Sequence, residues 1–208
     1  MTFQQNAFSD ALYRYGETVR GQSDEQATLA VEYARFLAND PEAFERSNPV
    51  GHFTGSALVV DPNAGKILLT HHAKMLKWLQ LGGHCDGIRD PFFVAWKEAY
   101  EESGLKLILP ASPEIFDLSL HTIPSYREVP GHLHYDVRYL FVADSADGFV
   151  KSDESLDLAW ADLGRVCDFS RSSGLMRLEF KAIEHLERTH DYNRPRNYVE
   201  PVAQEPAE

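Results

Sequence analysis

Strand-like runs on both sides of one sharply bounded helix, with helical periods near both ends of the chain, predict a mixed α/β sandwich. Alternating or apolar runs at residues 52–60 and 66–70 precede a helix over Pro91–Ser103, and further runs follow it. Apolar residues recur at helical spacing before residue 40 and after residue 172. At 208 residues, the chain fits one domain with appendages. Its 43% hydrophobic and 12% aromatic content supplies a real core, which sets global disorder aside.

The first fifty residues read as helical. Phe8, Leu12 and Tyr15 share a face over residues 7–18. Ser23-Asp24-Glu25-Gln26 is a capping-box pattern, with Ser23 capping and Gln26 reaching back. The helix it opens carries Leu29, Tyr33, Phe36 and Leu37 on one stripe. It should stop near Asn39, because Pro41 disfavours helix in the residue before it. Residues 61–65 (Asp-Pro-Asn-Ala-Gly) form the turn between the first two strands. A Gly-rich loop over 81–90 leads into the central helix. Further strands are expected near Leu107 and over 115–123, 134–143 and 156–160, and a last helix over Ser173–Thr189 repeats Leu175, Leu178, Ala182, Ile183 and Leu186. The tail is rich in Pro, Asn and Glu and reads as loose. No internal repeat is present.

A formal charge of −12 argues against affinity for nucleic acid polymers or anionic membranes. It is compatible with a small phosphorylated substrate, because bound divalent cations reverse the local field. Cys85 and Cys167 are too few for a disulfide scaffold and form no Cys-x-x-Cys pair. The first residues show no basic region followed by an apolar run, and no stretch approaches a membrane span, so a cytoplasmic, reduced protein is expected.

The central helix carries the chemistry. Asp90 suits the N-cap, Pro91 the first helical position, and Gly104 the left-handed residue that ends many helices. Glu98, Glu101 and Glu102 stand at i, i+3 and i+4, within one narrow face at about 100° per residue. Phe93, Trp96 and Tyr100 project to the other side, as if towards a core. Like charges at this spacing disfavour a helix by about a few tenths of a kcal/mol per exposed pair. A hard divalent cation removes that repulsion, and magnesium accepts carboxylates while keeping waters and phosphate oxygens. Three glutamates are equally the ordinary composition of a solvated helix face, so spacing alone leaves function open.

Residues 83–105 resemble the Nudix box, Gly-x5-Glu-x7-Arg-Glu-U-x-Glu-Glu-x-Gly-U, where U is bulky and aliphatic. Gly83, Glu98, Glu101, Glu102, Gly104 and Leu105 match in register, and Ala99 takes the first U position. The strand at residues 55–60, the approach Trp78-Leu79-Gln80-Leu81-Gly82-Gly83 and a late Trp160 also resemble the family; the likeness covers roughly residues 50–186. It implies a Nudix-like α/β/α sandwich with a mixed sheet: an N-terminal helical extension at 1–49, a catalytic domain at 50–190 and a tail at 191–208. It also implies a Mg2+- or Mn2+-dependent hydrolase that cleaves a diphosphate linkage in a nucleoside diphosphate derivative or similar small substrate. Glu98 and Glu102 are then the best metal ligands, with Glu101 as a further ligand or water-orienting group and the Gly83 carbonyl as an additional ligand. Two positions depart from the pattern: Arg89 stands where the family has its first Glu, and Lys97 where it has Arg. In the family those two residues commonly pair, which Arg89 and Lys97 cannot do. Asp86 and Asp90 are the nearby acids that compensation would use.

Outside the box, residues 132–140 alternate. As a strand they place His132, His134, Asp136 and Arg138 on one face, with Leu140 at its buried end. That row either lines a substrate cleft, with Arg138 meeting phosphate, or forms an exposed face with an Asp136–Arg138 contact. His-x-His also suits a transition metal, but the sequence assigns no third ligand. His71, His72 and especially His84 are further candidates for substrate contact, and Glu154 is a candidate distant base. Trp78, Tyr126 and Tyr135 stand either against a base or in the core. Two other functions compete: a Nudix-fold binding or regulatory domain, favoured by Arg89, and allylic diphosphate isomerisation, for which no catalytic Cys and Glu pair stands out. The N-terminal helices serve as a homodimer interface or as a cap.

Overall fold

The computed structural model describes residues 3–125 and 129–189; the tail expected at 191–208 and Tyr126 lie outside the described residues. Two helices open the chain, α1 (Phe3–Val19) and α2 (Asp24–Asn39). Ser23 caps α2 by accepting the Gln26 N–H at 3.3 Å, and the helix ends at Asn39, two residues before Pro41. The strands β1 (Gly51–Asp61), β2 (Lys66–His72), β3 (Lys77–Leu79) and β4 (Leu81–His84) then precede α3 (Pro91–Ser103). Beyond it come β5 (Leu109–Pro110), β6 (Asp117–Ile123), β7 (His132–Val142), β8 (Ser155–Asp162) and α4 (Ser173–Thr189).

All eight strands belong to one mixed sheet, built around β1 and β7, which run parallel from Gly51↔Leu133 to Val60↔Val142. The other pairings are antiparallel: β2 and β4 against β1, β3 and β8 against β2, and β5 and β6 against β7. Alternation along β1 builds both faces of the sheet. Phe53, Ala57 and Val59 point into a core shared with Leu12, Tyr33, Val94, Ala95 and Ala99 of α1, α2 and α3. Leu58 and Val60 point the other way, against Leu175, Leu178, Ile183 and Leu186 of α4. Each of these buried α4 side chains contributes about 1.5–3 kcal/mol. The result is an α/β/α sandwich with α1, α2 and α3 on one side and α4 on the other.

Several expectations change. The segment expected as a pure Gly-rich loop contains β4, because Gly82 and Gly83 let it lie flush on β1. The strand expected near Leu107 is the two-residue β5 at Leu109–Pro110, and Leu107 is exposed. Gln26 does not reach back to Ser23: its amide accepts from Tyr15 Oη at 2.6 Å and Leu118 N at 3.0 Å, and donates to Leu118 O at 3.0 Å. It thereby satisfies a backbone position of β6 that would otherwise be buried unpaired. Phe93 is exposed, since α3 meets β1 through Val94 and Ala95 and approaches so closely that a Cβ on Gly55 would strike the Pro91 carbonyl. Tyr135 belongs to the core, its ring stacked on Phe36 at 4.0 Å.

Candidate active site

Helix α3 is held at both ends. Asp90 Oδ1 accepts the Phe93 N–H at 3.1 Å, and Gly104 closes the helix in the left-handed conformation (φ 61°). The chain then folds back over that end: Val150 N donates to Ser103 O at 2.7 Å and Ser152 N to Glu102 O at 3.4 Å. These bonds occupy carbonyls that a helix end leaves without intrahelical partners. They also bring Glu154 towards the acidic face of α3, where its charge acts on both Glu98 and Glu102.

The three glutamates are not equivalent. Glu102 is only 6% exposed, and its Oε1 accepts the Gly82 N–H at 2.8 Å. Burial, assisted by the charges of Glu98 and Glu154, pushes its carboxyl up to about 7, against the pull of the Gly82 N–H. Glu98 is pressed against Gly83, and burial raises its carboxyl as well. Glu101 is exposed and bonds to Lys97 Nζ at 2.6 Å; the same ammonium meets Glu98 at 3.1 Å. Lys97 therefore partly neutralises two carboxylates that repel each other.

Arg89 takes no part in this cluster. Its guanidinium lies 5.6 Å from the Phe44 ring centre and donates to Pro41 O at 3.4 Å. Asp86 bonds to Arg46, and Asp90 is occupied as the cap of α3, so neither acid pairs with Arg89 or Lys97. Arg46–Asp86 instead ties the loop before α3 to the segment before β1. Cys85 is fully buried, and burial pushes its thiol far up, away from nucleophilic character.

On the sheet face carrying α4, β1 and β7 hold a largely buried polar network. Asp136 is its hub: Oδ1 accepts Thr54 Oγ1 at 2.9 Å and Ser56 Oγ at 2.7 Å, and Oδ2 accepts Arg138 Nε at 2.7 Å. Arg138 is buried and also donates to Asp117 at 3.3 Å, so its guanidinium is shared between two carboxylates. Asp117, fully buried, receives Arg177 and Lys181 from α4 as well.

Next to that hub five imidazoles gather. His52 and His134 are directly opposed across β1 and β7; His121 faces His134 from β6, and His132 precedes His134 by two residues. His84 adjoins both His52 and His134, with ring centres 5.1 Å apart in each case. Burial is the main reason that His52 falls to about 4 and His134 to about 2, so both are neutral near pH 7. The row expected from the sequence is therefore real, and it is joined by His52 and His121. Both lie in alternating strands, but only their register, which the sequence does not specify, brings them alongside. His71 instead stacks on Trp78 at 5.0 Å, and His72 Nδ1 accepts the N–H groups of Lys74 and Met75, ordering the turn before β3.

No protein-family model and no curated protein matches the chain. Solved structures do. The E. coli dihydroneopterin triphosphate pyrophosphohydrolase is 12% identical with a TM-score of 0.51, the match covering 69% of this chain and 99% of that one. A Nudix hydrolase from M. smegmatis, RenU, is 20% identical with a TM-score of 0.49 over 69% of this chain and 91% of that one. A C. elegans Ap4A hydrolase is 17% identical with a TM-score of 0.48 over 65% and 98%. The first of these, at 12% identity, carries a likeness of fold alone, and the fold is α/β and Nudix-like.

Proposed function

We propose that this protein is a divalent-cation-dependent hydrolase of a diphosphate linkage in a nucleoside diphosphate derivative or similar small substrate. The observation that carries the reading is the pair Glu98 and Glu102, drawn out of water and packed onto Gly83 and Gly82. Burying two carboxylates side by side is unfavourable unless a cation compensates. Among the described residues, these acids do not form a closed cage of three converging oxygens. Such a site suits Mg2+ or Mn2+, which are commonly held by one or two carboxylates together with waters and substrate phosphates.

Glu98 and Glu102 are the assigned ligands, with Glu101 and the Gly83 carbonyl beside them. When bound, the cation neutralises the diphosphate and makes a water molecule more acidic. The protein's own residues do the rest. Gly82 N–H orients Glu102; Lys97 holds Glu98 and Glu101 in place; Glu154 stands by as a distant base for the attacking water. His84, His132 and His134 line the neighbouring cleft, with imidazole nitrogens able to donate or accept hydrogen bonds to substrate. Arg138, buried between Asp136 and Asp117, contributes by ordering the floor of that cleft. In this reading residues 1–49 are a helical extension, 50–190 the catalytic domain, and Cys85 and Cys167 remain free thiols in a cytoplasmic protein.

The test is a phosphate-release screen over nucleotide sugars, dinucleotides and nucleoside triphosphates with Mg2+ or Mn2+, run beside Glu102→Gln. Turnover that requires the cation and collapses in the variant supports hydrolysis. A second reading, a Nudix-fold binding or regulatory domain, is favoured by Arg89, which stands in place of a carboxylate and lies over Phe44. No turnover, with stabilisation by one of the same compounds, would select it.

A further inference from the structure

His52, His132 and His134 carry an inference separate from the acidic site. Their candidate ligand nitrogens all lie within 4.8 Å of one another, the one such group of three among the described residues. His132 Nε2 and His134 Nε2 are 3.3 Å apart. Two imidazole nitrogens bound to one tetrahedral cation at Zn–N distances of about 2.0–2.1 Å stand roughly 3.3–3.4 Å apart. The pair therefore already has the spacing of two ligands, and His52 brings a third nitrogen within 4.8 Å of them.

The surrounding structure prepares these rings. His132 Nδ1 lies 3.0 Å from the Pro130 carbonyl, an acceptor that requires the proton on Nδ1 and so leaves the Nε2 lone pair facing the cluster. His52 is 1% exposed, and neither of its nitrogens has a hydrogen-bond partner. A buried imidazole left this way has lost its water without gaining a partner at either nitrogen. Its position is fixed by the preceding Gly51, where any Cβ would come within 2.5 Å of the Leu133 carbonyl oxygen, so β1 and β7 are held at closest approach. His132 also borders an open pocket lined by Arg46, Asn48, Pro49, Val129 and Pro130, which gives a solvated ion a way in.

We propose that His52, His132 and His134 form a three-imidazole site for a first-row transition-metal dication of the zinc type. All-imidazole ligation suits zinc, cobalt or nickel and is poorly matched to magnesium, which prefers oxygen. Three ligands leave a fourth position for water or a substrate donor. His84, whose ring adjoins both His52 and His134, stands beside the triad. The site shares no ligand with the acidic cluster, and it stands whether or not the protein is a hydrolase.

The test is titration of the metal-free full chain with Zn2+ by calorimetry and with Co2+ by visible absorption, with excess Mg2+ present throughout. One equivalent is expected to bind, with the intense visible bands of four-coordinate cobalt. His134→Gln and His132→Gln should each weaken binding by about 100-fold or more. The double variant Glu98→Gln/Glu102→Gln should bind zinc as the native chain does. His132 is partly exposed, so its variant serves if His134→Gln loses native circular dichroism. Absence of saturable binding overturns the proposal. So does binding that survives both histidine variants but disappears with the glutamates.

Discussion

A Cβ on Gly83 would stand 2.6 Å from the carboxylate carbon of Glu98, so loop and helix meet with no room for a methyl group. The Gly83 backbone is not in the left-handed region, and alanine is therefore conformationally acceptable there. Gly83→Ala should leave the fold intact and turn Glu98 aside. Small displacements at a reacting centre cost about 100-fold in rate, and cation-dependent turnover should fall by that order. A Gly83→Ala protein with native turnover and native circular dichroism would remove Glu98 from the active site.

Glu102 makes stability depend on pH in the direction opposite to an ordinary paired carboxylate. Its folded value is raised to about 7 from 4.5, so the folded state holds a proton that the unfolded chain has released. The sign follows: metal-free stability is lost as pH rises from about 4.5 to 7, by up to about 3 kcal/mol. Denaturant unfolding at pH 5 and pH 8 should show this loss in the native protein and a smaller one in Glu102→Gln. Added Mn2+ should stabilise the native protein more at pH 8 than at pH 5. Equal slopes for the two proteins would mean that Glu102 is more solvated than its burial suggests.

Asp117 gathers Arg138, Arg177 and Lys181 around one fully buried carboxylate. Asp117→Asn keeps the shape and removes the charge, leaving three cations partly uncompensated. Breaking buried pairs in this way costs about 3–5 kcal/mol. Urea unfolding should report a loss of that size, together with loosening of α4, which Arg177 and Lys181 tie to the sheet. A loss below 1 kcal/mol would show that solvent already compensates these charges.

Gln26 joins α1, α2 and β6 through Tyr15 and Leu118. Gln26→Leu retains bulk but leaves the Leu118 N–H buried without its partner, while the Leu118 carbonyl keeps the Arg177 guanidinium at 3.2 Å. At about 1–3 kcal/mol for the unsatisfied N–H, the variant should lose stability of that order. Hydrogen exchange should quicken at Leu118 more than in the centre of β7. Unchanged exchange there would assign the anchoring of the N-terminal helices to their aromatic contacts alone.

The sequence carried the fold wherever local chemistry decides structure. The Ser23 cap and the Asp90–Pro91 start and Gly104 stop of α3 are visible from residue types, because caps and breakers act within a few residues. β4 was not legible, since Gly82 and Gly83 have loop-like propensity; they are strand residues because Ser56 and Glu98 crowd them. Phe93 and Gln26 were misplaced for a related reason. Their surroundings depend on how closely α3 and β6 approach other elements, which no local pattern records. The box glutamates and the imidazole row were readable from spacing. His52, by contrast, joins that row only through the parallel register of β1 with β7, a fact of topology. Whether Arg89 had a partner was equally invisible, because Pro41 and Phe44 reach it from a segment far upstream.

Strand β1 carries two sets of obligations on alternate positions. Phe53, Gly55 and Ala57 must meet helices, while His52, Thr54 and Ser56 must meet the imidazoles and Asp136. Inserting or deleting one residue ahead of Phe53 would exchange the sets, pushing imidazole and hydroxyl groups into a greasy interior and aromatic rings into the polar network. Such a strand tolerates substitution far better than it tolerates a change of length. Its spacing is in effect a reading frame, and any change of length in this chain has to fall outside β1.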